Sequence, residues 1–148
     1  MAKPVILLVE DNDDDALFTE MAFTQARIEN PLVRARDGVE ALDYLMARGR
    51  HAGRDTSDLP GVVLLDLNMP RVNGLEVLKT IRSTPGLRSL PVVVLTSSDE
   101  DKDRIAAYDH HANSYVCKPI SFETFVNTSR QIGTYWLTLN RPLPSAAG

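Results

Sequence analysis

Five side chains suited to phosphate and metal chemistry stand at the ends of short apolar runs. Glu10 and Asp11 follow VILLV (5–9), and Asp66 closes VVLLD (62–66). Thr96 closes VVVLT (92–96), and Lys118 closes SYVCK (114–118). If these runs are parallel strands, four of them deliver three acids, a hydroxyl and an ammonium to one sheet edge, where open α/β sheets bind ligands. Three carboxylates in one place repel, and a divalent cation relieves the repulsion. Mg²⁺ suits the position best, since it takes oxygen ligands, keeps several waters and commonly bridges carboxylates to phosphate. A carboxylate beside a cation, a Lys and a hydroxyl is also equipped for phosphoryl transfer. Asp can attack phosphorus and carry an aspartyl-phosphate, with metal and Lys neutralising charge on the phosphoryl oxygens. Lys serves there as a point charge rather than a bidentate fork.

The elements that must position these groups follow from the apolar pattern. Five runs recur, the fifth being LVRAR (32–36), and most are continuous, as for strands covered on both faces. Helical periodicity fills the gaps. Leu17, Met21 and Ile28 share one face, as do Leu42, Leu45 and Met46, and Leu75, Leu78 and Ile81. Ile105 and Tyr108 mark a shorter fourth segment. The last is the clearest, with Phe122, Phe125, Val126, Ser129, Ile132, Gly133, Trp136 and Leu137 at i, i+3, i+4 spacing. DGVE (37–40) predicts a capping box of Asp37 and Glu40, and Gly49 is placed as the C′ residue of that helix. RGRHAGRDTSDLP (48–60) reads as an extended surface loop. Strand–helix alternation five times over implies a parallel sheet with helices on both faces.

The set LLVEDN, LLDLNMPRVNG, VVVLTSS and SYVCKP, taken in order, closely resembles the receiver domain of bacterial response regulators, the phosphoacceptor half of two-component signalling. The resemblance covers about residues 4–138 and implies a flavodoxin-like, doubly wound five-stranded parallel sheet, order 2-1-3-4-5, with five helices. It implies a receiver domain over 1–140 and an irregular tail over 141–148. Residue by residue, it implies that Asp66 accepts the phosphoryl group from a sensor histidine kinase. Asp11 binds Mg²⁺ directly, Glu10 binds it through water, and the Asn68 backbone carbonyl is a further ligand. Lys118 pairs with the phosphoryl group, Thr96 reaches toward it, and Tyr115 changes rotamer in response. The Lys118–Pro119 bond is expected to be cis. Many receivers carry Asp-Asp where this chain has Glu10-Asp11, so altered metal affinity is expected.

The ending GTYWLTLNRPLP, the Glu-Asp pair and the loop at 48–60 together resemble the small regulators that partner bacterial and cyanobacterial phytochromes. That likeness implies a bacteriophytochrome-type kinase partner. It also implies a homodimer through the last helix and its extension, with Tyr135, Trp136, Leu137 and Leu139 at the contact; core packing is the alternative for these side chains.

Other residues carry plainer readings. Asp13, Asp14 and Asp15 begin the first helix as capping and solvated charge. Tyr115 reads equally as an ordinary sheet aromatic, and Cys117 as a buried strand residue. His51, His110 and His111 lack metal-site spacing and are placed on the surface. The net charge of −4 argues against a nucleic-acid footprint. No apolar run approaches the ~20 residues of a bilayer span, no signal peptide is recognisable, and one Cys excludes an internal disulfide. Cytoplasmic residence is the expectation. So is signalling by protein contact rather than enzymatic turnover, too little chain following residue 140 for a DNA-binding output. Two rivals are an adaptor that keeps only the fold and an aspartyl-phosphate phosphatase of the haloacid dehalogenase kind. The latter needs an acid/base Asp two residues after the nucleophile, where this chain has Asn68.

Overall fold

The structure, a computed structural model, describes residues 4–55, 58–67, 74–96, 114–117, 121–134 and 136; at Thr96, Ser114, Tyr115 and Cys117 it describes the backbone. Five strands form one sheet: β1 (Ile6–Val9), β2 (Leu32–Ala35), β3 (Val62–Asp66), β4 (Val92–Thr96) and β5 (Ser114–Cys117). All neighbours run parallel in the order β2-β1-β3-β4-β5. Four α-helices lie among the described residues: α1 (Asp13–Gln25), α2 (Gly38–Met46), α3 (Gly74–Ser83) and α4 (Phe122–Thr134). The segment marked by Ile105 and Tyr108 lies outside the described residues, as do His110, His111 and the tail from 137 to 148. No described helix is long and apolar enough to cross a membrane.

The continuous apolar strands are explained by burial on both faces. Leu7, Val9, Val63, Leu65, Val92 and Val94 pack with Leu42, Leu45, Val77, Leu78 and Ile81 from α2 and α3. Ile6, Leu8, Val62, Leu64, Val93 and Leu95 pack on the other side with α1 and α4. Alternate residues of β1, β3 and β4 thus feed two cores, whereas Leu32, Val33 and Arg34 of the edge strand β2 stay partly exposed.

Helix α1 corrects the sequence reading. Its buried residues are Ala16, Thr19, Ala22 and Phe23, while Leu17 and Met21 are 54% and 53% exposed. Small side chains on the inner face let the helix lie close to the sheet, so the large apolar residues mark its outside. Phe18 ties α1 to α4 by stacking on Phe125 (5.3 Å between centroids) and meeting Phe122 edge-on (5.5 Å). Trp136 is half-buried against the same core, whereas Tyr135, Leu137 and Leu139 lie outside the described residues.

The helix ends also differ in detail. The N-cap of α1 is Asn12, whose Oδ1 accepts from the Asp15 N–H at 2.9 Å, rather than one of the three Asp. At α2, Asp37 accepts from the Glu40 N–H at 2.8 Å as expected, but the Glu40 carboxylate accepts from the Arg36 N–H. The box therefore closes one residue further out. The left-handed residue ending α2 is Ala47 (φ 51°), with Ala47 N–H bonded to Tyr44 C=O and Arg48 N–H to Asp43 C=O, a Schellman pattern. Gly49 (φ 59°) instead opens a single 3-10 turn, Gly49–His51. The loop that follows is stapled. The Arg54 guanidinium donates to the Tyr44 and Asp58 carbonyls and lies 3.8 Å over the Tyr44 ring, which also meets His51 edge-on. His51 is thus a half-buried packing residue.

Candidate metal and phosphoryl site

The strand order reverses at β1, which lies between β2 and β3, so helices leave the sheet on opposite faces there and a crevice opens at the C-terminal ends of β1 and β3. Register makes that crevice acidic. Val9 pairs with Leu65, so Glu10 and Asp66, each one residue further, come out side by side, and Asp11 follows in the turn to α1. The three carboxylates each offer an oxygen, and these oxygens all lie within 4.8 Å of one another. Glu10 is 1% and Asp66 6% exposed, while Asp11 is exposed. Two buried acids and one open to solvent form a hard oxygen donor set with room for retained water, which fits Mg²⁺ or Mn²⁺.

The turn carrying Glu10 and Asp11 is held by the backbone and by a guanidinium. Glu10 N–H donates to Ala35 C=O at 3.0 Å, and Glu10 Oε2 accepts a long 3.4 Å bond from the Asn12 N–H. Arg34, on β2 opposite Leu8, sends Nε to the Glu10 carbonyl (2.9 Å) and Nη1 to the Asp13 carboxylate (2.7 Å). Arg36 reaches the same Asp13 oxygen at 3.0 Å. The two guanidiniums hold the Asp13 carboxyl below the usual carboxylate range, the Arg34 bond being the largest cause. Asp13 thus joins the arginines rather than the three-acid cluster.

The far side of the crevice is fixed by α3. Gly74 opens that helix, is buried, and donates its N–H to Leu67 C=O at 3.2 Å. The start of α3 therefore lies against the residue that follows β3.

Of the residues marked by sequence, Glu10, Asp11 and Asp66 are brought together. Thr96 ends β4, one residue beyond the partner of Asp66, and pairs with Cys117. Tyr115 pairs with Val94 in β5. Asn68, Lys118 and Pro119 lie outside the described residues. Three contributors went unmarked: Asn12, Arg34 and Gly74. Arg34 had a signal, since a charge inside a strand covered on both faces must find partners.

With this geometry in place, comparison with known proteins is specific. Residues 6–130 match the model of the response regulator receiver domain. The chain belongs to that family, whose members act in two-component signalling. It is 47% identical over 137 residues to Probable methanogenesis regulatory protein FilR2 of Methanothrix harundinacea, covering 93% of this chain and 86% of that one. It is 37% identical over 133 residues to response regulator Rcp1 of Synechocystis sp., covering 90% and 88%. The Mn²⁺-bound form of Rcp1 superposes with a TM-score of 0.82 at 34% identity, covering 95% of this chain and 99% of that one. The phosphorylated cyanobacterial phytochrome response regulator RcpA superposes with a TM-score of 0.85 at 35% identity, covering 97% and 100%.

Proposed function

We propose that this chain is a phosphoacceptor of the phytochrome type, receiving a phosphoryl group on Asp66 from a sensor histidine kinase and passing the signal on by protein contact. The observation that carries the reading is the three-carboxylate crevice at the sheet's switch point, with Asp66 its strand-borne member. An Asp66 oxygen bonds to phosphorus as the phosphorus–nitrogen bond of a phosphohistidine breaks, and the imidazole leaves and takes up a proton. Glu10, Asp11 and Asp66, together with the Asn68 carbonyl, are the groups to hold Mg²⁺. When bound, the cation would neutralise charge on the phosphoryl oxygens. Burial of Asp66 in β3 keeps its carboxylate fixed in direction, so little orientation is left to arrange at the moment of transfer. Lys118 and Thr96 take the phosphoryl oxygens in this reading, and Tyr115 reports the change to the surface.

Likeness to phosphorylated RcpA and to Mn²⁺-bound Rcp1 supports the acyl phosphate and the metal; the phytochrome description of RcpA supports a phytochrome kinase as donor. The receiver unit is taken as residues 1–140 with a tail over 141–148, and a homodimer through the end of α4 and its extension is part of the reading. Incubation with acetyl phosphate and Mg²⁺ tests the central step. Intact mass should rise by one phosphoryl group in the wild type, and neither in Asp66→Asn nor after metal chelation. An unmodified wild type would favour the adaptor. Light scattering on a chain cut after Ile132 tests the dimer, and an unchanged dimer would remove Trp136 and the tail from it.

A further inference from the structure

We propose that Arg34 is a positioning residue for the divalent cation: its guanidinium clamps both ends of the turn that carries Glu10 and Asp11. The proposal rests on the metal reading above. Nε holds the carbonyl of Glu10, where β1 stops, and Nη1 holds Asp13, where α1 starts. The clamped segment runs from Glu10 to Asp13 with only Asp11 and Asn12 between the bonded residues, so two of the three clustered carboxylates, those of Glu10 and Asp11, ride on it. The Arg34 side chain is 16% exposed, its bond to the Glu10 carbonyl is partly buried, and charge-assisted bonds are short and directional. Arg34 does not touch the metal position. It acts on a ligand residue's backbone, as outer-shell groups orient ligands in metal sites.

Placement argues against a merely electrostatic role. A cation beside a divalent site opposes metal binding, and a cation under the start of a helix opposes the helix dipole. Asp13 offsets both, but a Met or Leu at position 34 would raise neither cost. What a neutral residue lacks is the fork that reaches two acceptors on either side of the turn. Lys retains the charge but cannot reproduce that fork.

The test is Mn²⁺ binding to the full chain, read from loss of the free-ion electron paramagnetic resonance signal, with wild type, Arg34→Lys, Arg34→Met and Arg36→Met. Thermal unfolding of each metal-free variant is recorded alongside. Arg36 supplies the same charge to Asp13 without a bond to Glu10, so it controls for charge. Arg34→Lys and Arg34→Met are expected to weaken Mn²⁺ binding by about 10-fold, and Arg36→Met to leave it within about 2-fold. Tighter binding by Arg34→Met with Arg34→Lys unchanged would show a charge effect and overturn the proposal. A lower melting temperature with unchanged affinity in both Arg34 variants would show a structural role and overturn it as well. Should Arg34→Met not fold, Arg34→Lys decides alone. A wild type that binds no Mn²⁺ at millimolar concentration would remove the metal reading itself, whereas wild-type binding matched by Arg34→Lys would remove only the clamp.

Discussion

Gly74 lies against Asp66 so closely that a Cβ at position 74 would stand 2.3 Å from the Asp66 carbonyl oxygen. It would also stand 2.6 Å from Leu67 Cα and 2.9 Å from the Asp66 carbonyl carbon. All three are backbone atoms, so no flexible side chain can yield. Either the start of α3 moves out or the Asp66 peptide turns, and the second would swing the carboxylate away from Glu10 and Asp11. Gly74→Ala is expected to cost about 1–3 kcal/mol in denaturant unfolding, the range of overpacked cores. Mg²⁺ affinity, by titration calorimetry, should fall with it. Gly53→Ala, where a Cβ meets nothing within 4 Å, should do neither. A Gly74→Ala protein with wild-type stability and affinity would show that the α3 start is free to shift.

The two sides of α1 give the next expectation. Phe23 is 3% exposed and part of the core shared with α4, so Phe23→Ala should cost about 3–5 kcal/mol. Leu17 is half exposed, and Leu17→Ser should stay within about 0.5 kcal/mol. Equilibrium denaturation of the two variants decides which face of α1 meets the sheet; equal losses would overturn the assignment.

That helix also shows where sequence reading stops. Large apolar residues at helical spacing point to a buried face only when the face is built from large residues. On α1 it is built from Ala16, Thr19 and Ala22, and the periodicity of Leu17 and Met21 marked the wrong side. The strands were legible because burial on both faces leaves an uninterrupted apolar run, and the end of such a run fixes where the next polar side chain stands. Glu10, Asp11 and Asp66 were found in this way. Arg34 and Gly74 were not, because their roles depend on what crosses over them in space: a turn of β1 for the first, the backbone of β3 for the second. The strand order rested on family resemblance, since the local pattern of a parallel strand is the same wherever it sits in the sheet. The C-terminal cap of α2 falls two residues before Gly49 because the N–H groups of Ala47 and Arg48 satisfy two carbonyls there, leaving Gly49 for the turn beyond.

Arg54 makes the segment from 48 to 60 dependent on one side chain. It joins the last turn of α2 to Asp58 through two carbonyls and covers the Tyr44 ring. Arg54→Ala removes those bonds and the cation–π contact, the latter worth roughly 0.5–2 kcal/mol at a partly buried position. Limited proteolysis should then cut within this segment at least several times faster than in wild type, with the sheet's cooperative unfolding little changed. An unaltered cleavage rate would show that the 3-10 turn holds the loop without the staple.

Asp13 gives a pH dependence with a defined sign. Its carboxyl is held below the ordinary value of 3.8 by Arg34 first and Arg36 second. A group whose folded pKa is depressed stabilises the fold above its unfolded pKa and loses that contribution as pH falls through the folded one. Metal-free wild type should therefore exceed Asp13→Asn in stability by a constant margin from pH 7 down to about 5, and the margin should shrink below about pH 4. Asp13 is 76% exposed, so 1 M salt should reduce the margin at neutral pH. Urea unfolding across this range, at low and high salt, measures it; a margin that grows on acidification would mean that the arginines do not hold Asp13 in its charged form.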